Sequence, residues 1–371
     1  MAPGGVNLQV IQFSETARAQ ATAVRDGFFN SFKITKNDNL GYSRSFTAGD
    51  RMKIARRVVL GLIGTALLGR PARAADKIVG GTLGGQAPLW PFYVAARKGF
   101  FAGEDLDVEI NFAQSGPAVA QQLTGGAFDV ALSIGNDNAI HAIDKGAPLA
   151  IVRIIGNTAP YALIAKPELK TIADLKGKTI SVGQANDITT VYFERMAAAN
   201  GLQRADYDEL VGGVAATRLA ALKAGVADAA FVLPPLNFQA NAAGYVTLGF
   251  SADYVKDLPF TGMVVRKSWA AANAPLAKRL LAATDKSIAW LADDAHRGEA
   301  IDVLVSAARA RQEDAEASYD LLRRIAYFEP SSKVSRGKLQ NLIDAQRALG
   351  NADAALTVDR LVMPGVTELV D

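Results

Sequence analysis

From Lys77 onward the chain alternates short apolar runs with stretches of helical spacing, the pattern of an α/β protein with a largely parallel sheet. Lys77 to Thr82 reads as a strand, and Pro88 to Lys98 as a helix closed by Gly99. Leu106 to Phe112 alternates apolar with acidic or polar residues, which predicts a half-buried strand. A helix from Pro117 to Thr124 and a strand from Phe128 to Ser133 follow.

The same series then recurs. Lys178 to Gly183 reads as a strand, and Ile188 to Ala199 as a helix closed by Asn200-Gly201. A helix from Ala215 to Ala224 and a strand from Ala227 to Leu233 come next. Leu123-x-x-Gly126-x-x-Asp129 is echoed by Leu222-x-x-Gly225-x-x-Asp228 at identical spacing, each leading into an Ala-containing strand. In both copies the Gly suits the left-handed residue that ends a helix, while the Leu packs back on the sheet. The reading is two similar α/β lobes around a central cleft. Residues 75–162 with 261–371 form the first lobe and 163–260 the second. The lobes join near Asn157 to Lys166, and the chain returns near Thr261 to Arg266. Ala270 to Leu349 reads as an almost wholly helical tail, its stripe of Trp269, Leu280, Leu281, Ile288, Trp290 and Leu291 serving helix packing.

Ahead of the repeat lies a different pattern. A basic stretch, Met52 to Arg57, precedes an apolar run from Val58 to Gly69, too short for the roughly 20 residues that cross a bilayer. Ala72-Arg73-Ala74 then supplies a small-x-small cleavage pattern, so residues 52–74 are expected to be a signal peptide cut after Ala74. Arg56-Arg57 matches a twin-arginine signal only in part. Residues 1–51 show no periodicity and are expected to be disordered, or to precede the true start.

Charge sharpens this division. Residues 1–74 hold 11 Lys/Arg against 4 Asp/Glu, while 75–371 hold 29 against 33. The basic excess belongs to the leader, and the acidic body offers no footprint for nucleic acid. With no Cys, disulfides, thiolate metal sites, Cys nucleophiles and lipoprotein anchoring are all excluded. His141 and His296 stand too far apart in sequence to suggest an imidazole metal site. No Gly-x-Ser-x-Gly, His-Glu-x-x-His or phosphate-loop motif is present. The chain calls for no cofactor, and export of a soluble chain points to the periplasm.

In open parallel sheets ligands bind beyond the carboxyl ends of strands. Several such ends here carry polar or Gly-rich segments, which supply the candidates: Gln86 after the first strand, Ser115 and Gly116 after the second, and Ser133 and Asn136 at the third. In the second lobe they are Asn186, Asp187 and Thr189 at a helix start, and Asn237 after the last strand of the repeat. Helix N-termini at these points can hold an anion with their free N–H groups. Trp90, with Phe92 and Tyr93, is expected to form an apolar wall, Asp137 and Asp187 could meet an ammonium group, and Tyr161 could serve as a hinge or lid contact.

An ordered set of segments carries a family resemblance: Trp90 to Phe101, Leu106 to Ile110, Gly125 to Ala131, Asp174 to Lys178, and Ala224 to Asp228. Together they resemble substrate-binding proteins of ABC importers for sulfonates, taurine, nitrate and thiamine-pyrimidine precursors. The resemblance implies a type II periplasmic-binding-protein fold whose lobes close on a small solute. It also implies a membrane permease as partner and a monomeric protein, and it maps the family's binding loops onto Gln86, Ser115, Ser133, Asn136, Asn186, Thr189 and Asn237. Three other readings stay open: an enzyme of thiamine-pyrimidine synthesis on the same fold, a ligand-presenting partner of a membrane sensor, and the sensing module of a transcription factor. The absence of Cys argues against the first, and the leader against the last.

Overall fold

A computed structural model describes residues 74–84, 87–184 and 187–371. The leader expected over 52–74 lies outside them except for Ala74, as do residues 1–51, Gln86 and Asn186. Among the described residues, no helix is long and apolar enough to cross a membrane.

The first part of the chain runs β1 (Asp76–Leu83), α1 (Trp90–Arg97), β2 (Leu106–Ala113), α2 (Gly116–Gly125), β3 (Val130–Gly135), α3 (Asn136–Asp144) and β4 (Leu149–Gly156). It then crosses to β5 (Ala162–Ala165), β6 (Thr179–Val182), α4 (Ile188–Ala199), β7 (Asp208–Val211), α5 (Ala215–Lys223), β8 (Ala229–Val232), α6 (Leu236–Ala242), β9 (Val246–Phe250) and α7 (Ser251–Tyr254). It returns with β10 (Thr261–Arg266).

Two five-stranded sheets result, ordered β2-β1-β3-β10-β4 and β7-β6-β8-β5-β9. Three strands of each pair in parallel, as the recurring strand–helix pattern predicts. Each sheet is largely parallel, as expected, with one strand reversed. β10 pairs antiparallel with β3 and β4, and β5 antiparallel with β8 and β9. Each inserted strand is the one that the chain lays down on arriving from the other sheet, so the crossover reverses its direction.

Burial follows what covers each strand. Both β2 and β4 are edge strands, but β4 is buried at every residue and reads as a continuous apolar run interrupted only by Arg153, because the tail covers it through bridges from Ile151 to Val362 and from Gly156 to Phe328, whereas β2 alternates. The echoed segments have matching structures. Leu123 and Leu222 are buried, and Gly126 (φ +86°) and Gly225 (φ +76°) sit in the left-handed region. Asp129 Oδ2 accepts from the Val79 amide at 2.9 Å, and Asp228 Oδ2 from the Thr179 amide at 3.0 Å. Each Asp amide returns the bond to the same residue's carbonyl.

The tail is helical: α8 (Lys267–Ala272), α9 (Ala274–Ala292), α10 (Arg297–Ala308), α11 (Gln312–Arg324), α12 (Arg336–Ala348) and α13 (Val358–Leu361). A small parallel ladder of β11 (Lys333–Ser335) and β12 (Glu368–Val370) interrupts it. Leu280, Leu281, Ile288 and Leu291 face inward as their spacing predicts. Arg153, fully buried in β4, bonds Asp285 of α9 at 2.6 Å and so pins the tail to the first sheet. Trp90 Nε1 donates to the Ala300 carbonyl at 2.7 Å, tying α1 to α10.

Candidate functional site

The carboxyl ends of β1, β3, β6 and β8 converge on one cleft of about 110 Å³. The first sheet contributes Thr82 and Leu83 from β1, Ser115, Gly116 and Pro117 from the start of α2, and Ser133, Gly135, Asp137 and Asn138 around the β3–α3 junction. The second contributes Gln184, Asp187 and Ile188 before and at the start of α4, Gly213, Val214, Ala215 and Arg218 at the start of α5, and Leu233 after β8. Tyr161 and Phe260, one on each crossover segment, complete the wall. The Ala87 amide reaches the Pro234 carbonyl at 3.5 Å, so the loops beyond β1 and β8 meet across the cleft.

Ser115, Gly116, Ser133 and Asp187 therefore lie on the cleft. Ser115 Oγ accepts from the Ala118 amide and caps α2. Asp187 caps α4: its Oδ1 accepts from the Thr189 amide at 2.8 Å and from Thr189 Oγ1 at 2.6 Å. Thr189 Oγ1 in turn accepts from the Gly183 amide, so Thr189 is a buried brace of the loop and does not line the cleft.

Three other candidates stand away from the cleft lining. Asn136 is fully buried; its amide donates to the Phe260 carbonyl, and its Nδ2 to the Pro259 carbonyl at 3.1 Å. It stitches α3 to the returning crossover. Asn237 is also fully buried, and among the described residues neither of its side-chain polar atoms has a partner. Trp90 is a correction. Its ring packs edge-on against Tyr319 and its N–H is spent on Ala300, so it belongs to the core between α1 and the tail. Phe92 and Tyr93 are buried as well. The apolar wall is built instead from Leu83, Pro88, Leu89, Leu233, Tyr161 and Phe260. Helical spacing put the aromatics of α1 on an inward face, but inward here means toward the helical tail.

Arg218 is the residue that the sequence reading missed. It is 3% exposed, lines the cleft, donates its Nε to the Phe231 carbonyl at 2.6 Å and its Nη1 to the Gly213 carbonyl. Its guanidinium lies 5.3 Å from the centroid of the Tyr161 ring. No carboxylate pairs with it among the described residues, so it lines the cleft without a counter-ion. A signal was available. In the register of the echoed segments, Arg218 falls where the first copy has the buried Val119. A charge at a position that the repeat makes apolar is out of place unless it has a polar task. In the same register Val214 falls where the first copy has Ser115, and α5 consequently starts without a side-chain cap. Free N–H groups at that helix start add to the positive field of Arg218.

Two carboxylates oppose this positive wall. Burial, and then the nearby Asp187 carboxylate, push the Asp137 carboxyl up to about 7. Burial also pushes the Tyr161 phenol up to about 12, against the pull of neighbouring Arg218. Tyr161 itself sits among Tyr192, Phe231 and Phe260 with ring centroids 5.4–6.1 Å away, a packed floor beneath the charged groups.

A model of the NMT1/THI5-like family matches residues 86–297, more than half of the chain. The chain belongs to the NMT1/THI5-like family. Among curated relatives, YtlA of Bacillus subtilis (strain 168) is 23% identical over 208 residues, covering 54% of this chain and 62% of YtlA. The chain thus spans about three fifths of the relatives it matches first. The riboflavin-binding protein RibY of Chloroflexus aurantiacus is 27% identical over 277 residues, covering 72% of this chain and 73% of RibY. Among solved structures, the alkanesulfonate-binding protein SsuA from Xanthomonas axonopodis pv. citri, bound to MOPS, superposes with a TM-score of 0.64 at 18% identity. The match covers 81% of this chain and all of that one. The fold is therefore that of the periplasmic binding proteins. An enzyme shares it too: the desulfurization enzyme DSZB superposes with a TM-score of 0.57 at 12% identity, covering 78% of this chain and 97% of that one. Fold alone does not decide chemistry.

Proposed function

We propose that the protein is the solute-binding component of an ABC importer, capturing a small solute with an anionic sulfonate- or carboxylate-type group between its two lobes. The observation that carries this reading is Arg218: a buried guanidinium on the cleft wall, beside an uncapped helix start, with no carboxylate partner among the described residues. A buried cation without a counter-ion is costly, and an anionic ligand removes that cost. The named ligands of relatives support a small solute in both cases and an anionic one in the case of SsuA, since RibY is a riboflavin-binding and SsuA an alkanesulfonate-binding protein. In this reading the lobes are residues 75–162 with 261–371 and residues 163–260, and they close about the crossovers that carry Tyr161 and Phe260. The ligand stabilises the closed form through contacts to both. The leader directs the chain to the periplasm, where the closed form docks on a membrane permease.

The test is a thermal-shift screen of the purified protein against alkanesulfonates, short carboxylates, nitrate and aminopyrimidines. A solute at about 100 times its dissociation constant adds about 2.7 kcal/mol to stability. An anionic hit that disappears in Arg218→Gln, with the variant's own melting transition still cooperative, supports the reading. A hit that survives intact in Arg218→Gln places the anion elsewhere and sinks it.

A further inference from the structure

The cleft also holds a second, oppositely charged arrangement that an anion alone does not explain. Asp137, in the first turn of α3, and Asp187, the N-cap of α4, come from the two different sheets and line the same cleft. The backbone makes room for both at equivalent places, just where a strand of each sheet ends. A Cβ on Gly135 would come within 2.4 Å of Asp137 Oδ1, and one on Gly183 within 2.5 Å of Asp187 Oδ1. Neither carboxylate has a basic partner among the described residues. Asp137 Oδ1 accepts from Asn138 Nδ2 at 3.0 Å, and Asp187 Oδ1 is engaged by Thr189, which leaves each with an oxygen for another group. Two like charges facing each other across a closing cleft repel, and the repulsion grows as water leaves. Burial first, and Asp187 second, raise the Asp137 carboxyl.

Resting on the reading of this cleft as a solute site, we infer that the solute is a zwitterion: a protonated nitrogen bridges Asp137 and Asp187, while its anionic group meets Arg218 and the start of α5. The bridge explains why both lobes contribute a carboxylate. A nitrogen cation held by one lobe would not favour closure, whereas one shared between the lobes links closure to the presence of ligand. The small cleft suits an aliphatic chain of a few carbons between the two charges, lying over Tyr161 and Phe260.

Matched ligands that differ only in an amine test this. Calorimetric titration of the full protein compares 3-aminopropanesulfonate with propanesulfonate, and β-alanine with propionate, for the wild type, Asp137→Asn and Asp187→Asn. Each amine-bearing ligand is expected to bind at least tenfold more tightly than its partner in the wild type. Either carboxamide variant should erase most of that preference while the affinity for the plain anion holds or rises. A plain anion that binds as tightly as its amine counterpart overturns the zwitterion and leaves anion capture standing. Binding of none of the four by protein with a cooperative melting transition overturns both. A preference that persists in both variants places the nitrogen elsewhere and also overturns the inference. Asp137→Asn leaves the α4 cap untouched, so it keeps the test decisive if Asp187→Asn folds poorly.

Discussion

Helices α2 and α5 are built from the same pattern and face the same cleft, yet they begin differently. α2 starts with Ser115, whose hydroxyl caps it, and carries Val119 on its buried face. α5 starts with Val214, which caps nothing, and carries Arg218 at the matching position. Downstream the two copies coincide: a buried Leu, a left-handed Gly, and an Asp that grips the first strand of its copy, β1 or β6. The lesson is that the repeat holds the scaffold while the cleft-facing positions diverge. One helix start satisfies itself with a side-chain cap, and the other has none.

The comparison can be broken most severely at its buried Leu. Leu123 belongs to the main core, whereas Leu222 belongs to a small separate cluster with Ala162, Ile164, Leu219, Ala230, Val232 and Ala240. Leucine-to-alanine changes in cores cost about 2–5 kcal/mol, and less where the surroundings collapse. Denaturant unfolding should place Leu123→Ala near the top of that range and Leu222→Ala near its lower end. Equal costs would show that the two sheets are packed alike.

A smaller effect separates the two Asp residues. Removing either carboxylate leaves a strand amide without its partner, at about 1–3 kcal/mol. Asp228 also pairs with Lys166 at 2.6 Å, while Asp129 lies 3.7 Å from Arg266. Asp228→Ala is therefore expected to cost more than Asp129→Ala. Burial alone would raise the Asp228 carboxyl, but Lys166 and the Thr179 amide outweigh it and hold it below the ordinary 3.8. The stabilisation from Asp228 is then fully present above that value and lost as pH falls through the lower folded one. Stability curves of wild type and Asp228→Ala measured from pH 7 downward should converge in strong acid.

The smallest effect is also the most symmetric. A Cβ at Gly225 would meet nothing, and at Gly126 only the Arg266 guanidinium at ordinary contact distance. Alanine at either position is penalised by backbone conformation alone, at about 1 kcal/mol. Matching shifts in melting temperature for Gly126→Ala and Gly225→Ala would confirm that the two turns are equivalent. A marked difference would show that one turn relaxes.

Much of this is legible in the sequence, because it depends on neighbours along the chain. The period of apolar positions, Ser115 as a cap, Gly126 and Gly225 as helix ends, and the doubling of the strand–helix series each act over a turn or two of chain. The strand-end loops followed from topology, and that rule brought Ser115, Gly116, Ser133 and Asp187 to the cleft. It failed for Asn136 and Trp90, whose loops and helices reach the right region while the side chains turn to Pro259 and Ala300. Arg218 could have been found by laying the second copy over the first, since only the comparison reveals a charge in an apolar register.

The sequence by itself determined two repeated lobes, their helix starts and stops, and a basic N-terminal stretch distinct from an acidic body. Only the tertiary structure decided which groups meet. Asp137 and Asp187 belong to different sheets, and Tyr161 and Phe260 to different crossovers, so no local pattern places them around one cleft. Their electrostatic conflict arises where burial strips water from charges that the chain keeps far apart in sequence.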